Sequence, residues 1–264
     1  MMSPMQSLQA IPGFTNATID RRLACGITGE TFLVSSDGEE QYVLRLRFPD
    51  AKLFVTDPFA EHRLSLLAYQ AGLAPEPVYC SADGQYSLRR YLPGSVWSEA
   101  ELHADGGGRA LGSLLARVHQ LPVSGVSDGW AERALLRYSS AISDDVSALL
   151  TAGLAALTDL ERLPALNALC HGDVVCGNVL DSGGSLRLVD WEYARIADPY
   201  FDLAAVSRHH QLDADASAEL LDAYAEVIGG AVSRRRLEGW VSYYDALEAL
   251  WLLALKSQTP IKSM

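Results

Sequence analysis

From residue 170 the chain reads Cys-His-Gly-Asp-Val-Val-Cys-Gly-Asn-Val-Leu, and from residue 188 Leu-Val-Asp-Trp-Glu-Tyr, with Gly183-Gly184 between them. No other stretch constrains the fold as tightly. Asn178–Leu180 and Leu186–Asp190 read as short strands on either side of the Gly-Gly turn, so the stretch predicts a hairpin behind a loop. That hairpin sets Asn178 and Asp190 on neighbouring strands and leaves Asp173 on the loop that precedes them. The segments around it read as helices, so the second half of the chain is helical with a small β insert.

The first third differs in character. Residues 18–47 read as strands, with β-branched and aromatic runs at Thr31–Val34 and Tyr42–Arg47 and a turn signal at Ser36–Glu39. Asp57-Pro58 opens a helix that carries Leu64, Leu67 and Ala68 on one face and ends near Gly72. Two more strands flank Asp83-Gly84. After Pro93-Gly94 helical spacing takes over: Arg109–Gln120 places Leu111, Leu114, Leu115 and Val118 on one face, and Ser143–Leu163, Ala214–Ile228 and Trp240–Leu255 follow. The expected fold is α+β and bilobal, a protein-kinase-like arrangement with a small antiparallel β lobe over 1–92 and a larger helical lobe over 93–264.

Charge narrows the function classes. Lys+Arg 21 against Asp+Glu 33 gives a net charge of -12 over 264 residues, a field that repels phosphate backbones and argues against nucleic acid as a partner. The strongest apolar run, Ala249–Leu255, is too short to span a bilayer, and the first residues lack the pattern of a secretory signal. Four cysteines without a CxxC pair fit a reducing compartment, so the expected location is the cytoplasm. Oligomeric state is not encoded in any pattern here.

His171-Gly-Asp173, then Asn178, then Asp190 after a hairpin is the catalytic layout of protein kinases. The chemistry explains the residue types. Phosphoryl transfer needs a carboxylate to orient the attacking hydroxyl and take its proton, which suits Asp173. It needs oxygen ligands for Mg²⁺ on the nucleotide phosphates, which suits Asn178 and Asp190. A zinc site from Cys170, His171 and Cys176 fits no standard spacing. His119 reads as a packed helix residue, His209-His210 as a solvated helix end, and Arg234–Arg236 as the polar start of the last helix.

With these motifs the chain resembles the aminoglycoside phosphotransferase and choline kinase family, through most of its length. The resemblance implies ATP and Mg²⁺ as cofactors. Ala24-Cys-Gly-Ile-Thr-Gly-Glu-Thr31 is similar to the family's nucleotide-binding turn, implying nucleotide contacts from Gly26, Thr28, Gly29 and Thr31. Arg45 stands where the basic residue of the phosphate strand belongs, and Glu61 resembles the helix acid that holds it. Arg90 and Tyr91, at the start of the hinge-like Tyr-Leu-Pro-Gly, are expected beside the nucleotide. Ala197–Ala204 resembles the segment after the metal ligand, which gives Asp202 and His171 structural tasks around the catalytic loop.

For the acceptor, the resemblance to the choline and thiamine kinase branch rests on Glu192, two residues past Asp190. Tyr244, Glu248 and Trp251 on the last helix add aromatic faces and a carboxylate, the groups that hold small cations. The expected activity is phosphorylation of a small cationic alcohol, choline first and thiamine second. An aminoglycoside or amino-sugar kinase and a catalytically silent binding module are the alternatives.

Overall fold

The computed structural model describes residues 2–36, 40–49, 53–54 and 57–258; most of the predicted turn at 36–39 lies outside them. The chain groups into two compact units, one of residues 1–97 with 176–195 and the other of residues 98–175 with 196–264.

The first unit is built on a five-stranded sheet: β1 (Thr18–Cys25), β2 (Gly29–Ser35), β3 (Gln41–Arg47), β4 (Pro77–Cys80) and β5 (Tyr86–Arg90), in the order β1-β2-β3-β5-β4. Its pairs are antiparallel, and Thr31 faces Arg45 while Arg45 faces Ser87. Because side chains alternate across a strand, this register sorts the sheet into two unlike faces. Phe32, Val34, Tyr42, Leu44, Leu46, Tyr86 and Leu88 pack on one side against Leu8, Ile11 and Phe14. Leu8 comes from α1 (Pro4–Gln9), a helix that sequence periodicity misses because it is a single capped turn and a half. Ser3 caps it, exchanging hydrogen bonds with Gln6 at 3.3 and 2.9 Å. Leu8 and Ile11 are almost wholly buried, about 1.5–3 kcal/mol each. The other face carries Thr31, Arg45, Arg47 and Arg89. Helix α2 (Pro58–Gln70) begins where the Asp57 carboxylate accepts the Phe59 N–H at 2.9 Å.

The first unit also takes the segment that holds Asn178 and Asp190, although the lobe boundary expected at residue 92 would leave it with the helices. The reason is hydrogen bonding. After a 3-10 turn at Cys176–Asn178, strand β8 (Val179–Ser182) pairs with both β9 (Ser185–Leu188) and β6 (Ser95–Val96). The Trp97 N–H reaches the Val179 carbonyl and the Leu188 N–H reaches that of Leu73, each at 2.9 Å.

The second unit comprises α3 (Glu99–Leu102), α4 (Gly107–His119), α5 (Trp130–Ser140), α6 (Ser147–Leu160), the strand β7 (Ala168–Cys170), α7 (Tyr200–His209), α8 (Ala214–Ile228) and α9 (Arg234–Gln258). α5 is a helix where the sequence reading placed none, α7 is the helix of which that reading saw only the end at His209-His210, and α9 starts six residues before the predicted Trp240. α4 and α8 approach closely because Gly112 has no side chain: a Cβ there would stand 2.2 Å from the Leu220 carbonyl oxygen. An aromatic cluster of Trp130, Phe201, Trp240 and Tyr243 joins α5, α7 and α9, with the two indoles stacked at 6.3 Å. The Tyr243 hydroxyl, deep within it, donates to the Ala131 carbonyl at 3.0 Å. No helix of the described residues is long and apolar enough to cross a membrane.

Candidate active site

In the second unit the Asp173 loop is held from below by one buried carboxylate. Asp202, on the first turn of α7, accepts the His171 N–H at 2.8 Å and the Gly172 N–H at 2.9 Å. Gly172 has φ +82°, a conformation that glycine adopts without strain, and this presents both amides to one acceptor. The Asp173 N–H then points to Nδ1 of the fully buried His171, 3.3 Å away. His119 completes the brace: its Nε2 lies 3.1 Å from Asp202 and its Nδ1 3.0 Å from the Tyr224 hydroxyl. Burial works against the Asp202 charge, yet the His119 contact and the His171 amide outweigh it and hold the carboxyl below its usual range.

Sequence reasoning missed two buried polar ties in this unit. His210 is not solvated: its ring is buried, with Nδ1 2.7 Å from Glu99 and Nε2 3.2 Å from the Val174 carbonyl. Its position next to the exposed His209 at a helix end gives no sign of burial. Arg236, read as part of a polar helix start, is also buried. It binds Asp198 at 2.6 Å and the Pro164 carbonyl at 2.7 Å, tying α9 to the turn before α7.

The aromatic residues of α9, and the acceptor candidates among them, divide by helix face. Trp240 and Tyr243 belong to the core, whereas Tyr244, Glu248 and Trp251 stand at i, i+4 and i+7 and are half-buried. The Tyr244 hydroxyl donates to Glu248 Oε1 at 3.3 Å, and His209 Nδ1 lies 3.6 Å from the same oxygen. Burial pushes the Tyr244 phenol up, with Glu248 adding and the Asp173 charge contributing as well.

In the first unit, Arg45 is the centre. Its guanidinium pairs with Asp190, lies 2.7 Å from Glu192 Oε2 and donates to Thr28 Oγ1 at 2.7 Å. Thr28 in turn donates to Glu192 Oε1 at 3.2 Å. Burial opposes the Arg45 charge, but Asp190 and Glu192 override it and raise the pKa. The Glu192 carboxyl is pushed up to about 7, by burial first, with Arg45 pulling down and Asp190 pushing up. Asp190 itself has φ +62°, a strained conformation outside glycine that Asp tolerates better than most residues. The Val189 N–H binds the Asn178 carbonyl at 2.9 Å, which brings Asn178 next to the Asp190 end of the hairpin. An amide oxygen and a carboxylate form an oxygen-only donor pair, the kind a hard divalent cation takes.

Three expectations need correction. Glu61 does not hold Arg45; it binds Arg47 Nη2 at 2.5 Å. Arg45 and Arg47 share a face of β3, and the second lies under α2, where it also donates to the Gly84 carbonyl at 3.0 Å. Glu192, expected at the acceptor, is buried in the first unit, where it meets Arg45 and Thr28. Arg90 opposes Tyr42 in the ladder and so projects from the sheet face opposite to Arg45, where it pairs with Glu40 and Glu76 at 3.1 Å. The Tyr91 N–H is taken by the Gln41 carbonyl at 2.9 Å.

The turn places Gly26 and Gly29 between β1 and β2, closed by the Gly26 N–H on the Gly29 carbonyl at 2.9 Å. Thr31 sits across from Arg45. Arg89, absent from the sequence reading, shares that face and lines a cavity of about 50 Å³ with Arg45, Arg47, Glu61 and Asp190. Only the strand register shows it, since Arg89 and Arg90 look alike in sequence.

Residues 21–240 match the profile described as the Phosphotransferase enzyme family. The chain is 29% identical over 235 residues to a thiamine kinase of Escherichia coli O17:K52:H18 (strain UMN026 / ExPEC), covering 86% of this chain and 79% of that one. It is 30% identical over 199 residues to a thiamine kinase of Shigella flexneri serotype 5b (strain 8401), covering 71% and 67%. Among solved structures it is similar to a choline/ethanolamine kinase family protein from Mesorhizobium loti, with a TM-score of 0.76 at 23% identity over 98% of this chain and 87% of that one. LicA in complex with AMP follows at 0.75 and 18% identity, over 92% and 86%. The fold is therefore the protein-kinase-like α+β fold, and the enzyme is a small-molecule kinase. A profile that spans both units, from the Gly-rich turn past the braced Asp173 loop and into α9, leaves one conclusion: the chain belongs to the phosphotransferase enzyme family.

Proposed function

We propose that the protein transfers the γ-phosphoryl group of ATP, with Mg²⁺, to the hydroxyl of a small cationic alcohol, thiamine ahead of choline. The pairing of Tyr244 with Glu248 on one half-buried face of α9 carries this reading. A carboxylate and an aromatic ring on one helix face suit a cation, and Asp173 is the base for its hydroxyl. Thiamine moves ahead of the choline expected from sequence because the relatives matched along most of the chain are thiamine kinases, while the likeness to choline kinases is one of fold.

In this reading Asp173 orients the hydroxyl and accepts its proton as the oxygen attacks phosphorus. Arg45 offers its guanidinium to the nucleotide phosphates, and the β1–β2 turn covers them through Gly26, Thr28 and Gly29. Asn178 and Asp190 hold the metal, which when bound neutralises phosphate charge. Asp202 keeps the loop in place and exchanges no proton.

Steady-state turnover with ATP and Mg²⁺ across thiamine, choline, ethanolamine, a neutral sugar and an aminoglycoside tests the reading. The cationic alcohols are expected to lead in kcat/KM. Glu248→Gln is expected to raise KM for the preferred cation about 10-fold, equivalent to about 1.4 kcal/mol. Equal turnover of the neutral sugar, or an unchanged KM in the variant, would overturn it.

A further inference from the structure

Two of the first unit's arginines compete for three carboxylates, and the geometry decides which pairs form. Arg47 takes Glu61 at 2.5 Å. Arg45 is thereby left to Asp190 and Glu192, and the second of these is tied to the Gly-rich turn through Thr28. Thr28, Arg45 and Glu192 form a closed triangle: arginine to carboxylate 2.7 Å, arginine to hydroxyl 2.7 Å, hydroxyl to carboxylate 3.2 Å. Its corners come from a turn, a strand and the segment after β9, parts of the chain up to 164 residues apart. The side chains of Arg45 and Glu192 are 11% and 8% exposed, so little water screens their attraction. The Thr28 hydroxyl accepts from Arg45 and commits its one proton to Glu192.

We infer that Glu192 is the positioning residue for nucleotide binding: it fixes the plane of the Arg45 guanidinium and, through Thr28, the height of the Gly-rich turn. The inference rests on the reading of Arg45 as the phosphate contact, and it gives Glu192 the task that sequence resemblance assigned to Glu61. An arginine meets phosphate oxygens through a planar fork, so an unheld side chain must be ordered at the moment of binding. Glu192 orders it beforehand.

Calorimetric titration of the full chain with ADP in EDTA, and again with Mg²⁺, tests this beside steady-state kinetics. Glu192→Gln keeps the side-chain shape and removes the charge. It is expected to weaken metal-free ADP binding about 10-fold and to raise KM for ATP, with KM for the acceptor unchanged. Glu192→Asp is expected to recover part of the loss. Thr28→Val, combined with Glu192→Gln, is expected to cost less than the sum of the single effects, since both break one triangle. Metal-free ADP affinity equal to wild type in a folded Glu192→Gln would overturn the inference, and a displaced Mg²⁺ requirement alone would make Glu192 a metal ligand instead. A change confined to the acceptor KM would overturn the inference as well. Absence of phosphoryl transfer in the wild type would defeat the proposed function, whereas the metal-free titration judges Glu192 independently of it.

Discussion

The Asp202 carboxylate and the His119 imidazole meet at 3.1 Å with their side chains 0% and 2% exposed, 83 residues apart in sequence. The same carboxylate accepts the two amides that lead into Asp173, so one buried group sets both the junction of α4 with α7 and the path of the Asp173 loop. Its removal strands three partners at once.

Asp202→Ala is therefore expected to lower stability by about 3–5 kcal/mol, the cost of breaking a buried, hydrogen-bonded charge network. Urea unfolding checks this, and a loss under 1 kcal/mol would show that the loop holds itself.

Acid gives a second test of the same group. A carboxyl whose folded pKa lies below its unfolded value of about 3.9 contributes in full above that value and loses its contribution as pH falls through the folded one. Asp202 is lowered in this way. Wild-type stability is expected to fall more steeply below about pH 4 than that of Asp202→Asn, and parallel urea midpoints between pH 5 and 3 would contradict it.

Asp173→Asn keeps shape and removes the proton acceptor, so kcat is expected to drop about 10²–10⁴-fold. Nucleotide affinity is expected to stay near wild type, because the Asp173 loop is held by backbone amides that the substitution leaves alone. Rapid-quench measurement of the chemical step beside nucleotide titration separates the two, and near-normal turnover would remove Asp173 from its role.

The proposed metal ligands differ in charge, which orders their losses. Asp190→Ala removes a full negative charge and Asn178→Ala only a dipole. The Mg²⁺ concentration for half-maximal activity is expected to rise in both variants, further in Asp190→Ala. The reverse order would show that the pairing of Asp190 with Arg45 is its main task.

Two glycines of one turn are expected to behave differently. A Cβ on Gly29 would stand 2.0 Å from the Leu46 carbonyl oxygen, whereas one on Gly26 meets only the Gly29 oxygen at 3.8 Å. Gly29→Ala is expected to cost about 2–3 kcal/mol by prising β2 from β3, and Gly26→Ala less than 0.5. Thermal melting of the two variants decides it.

The sequence by itself determined the α+β class, the order of strands then helices, and the loop and hairpin of Asp173, Asn178 and Asp190. These are local matters, governed by periodicity, turn residues and spacing along a few residues of chain. α8 runs from Ala214 to Ile228, the bounds that its apolar spacing predicts. Tertiary structure decided what distant charges do. Arg45 and Arg47 present the same side chain on the same face of β3, and which of them meets Glu61 depends on how α2 lies over the sheet. Glu192 looked like an acceptor residue because it follows the Asp190 motif in sequence, but tertiary packing buries it beside Arg45 and Thr28. His210 and Arg236 looked solvated because their neighbours are charged. Each is buried because a carbonyl or carboxylate in the interior needs a donor, and a buried polar group without a partner costs more than the desolvation of the one that satisfies it.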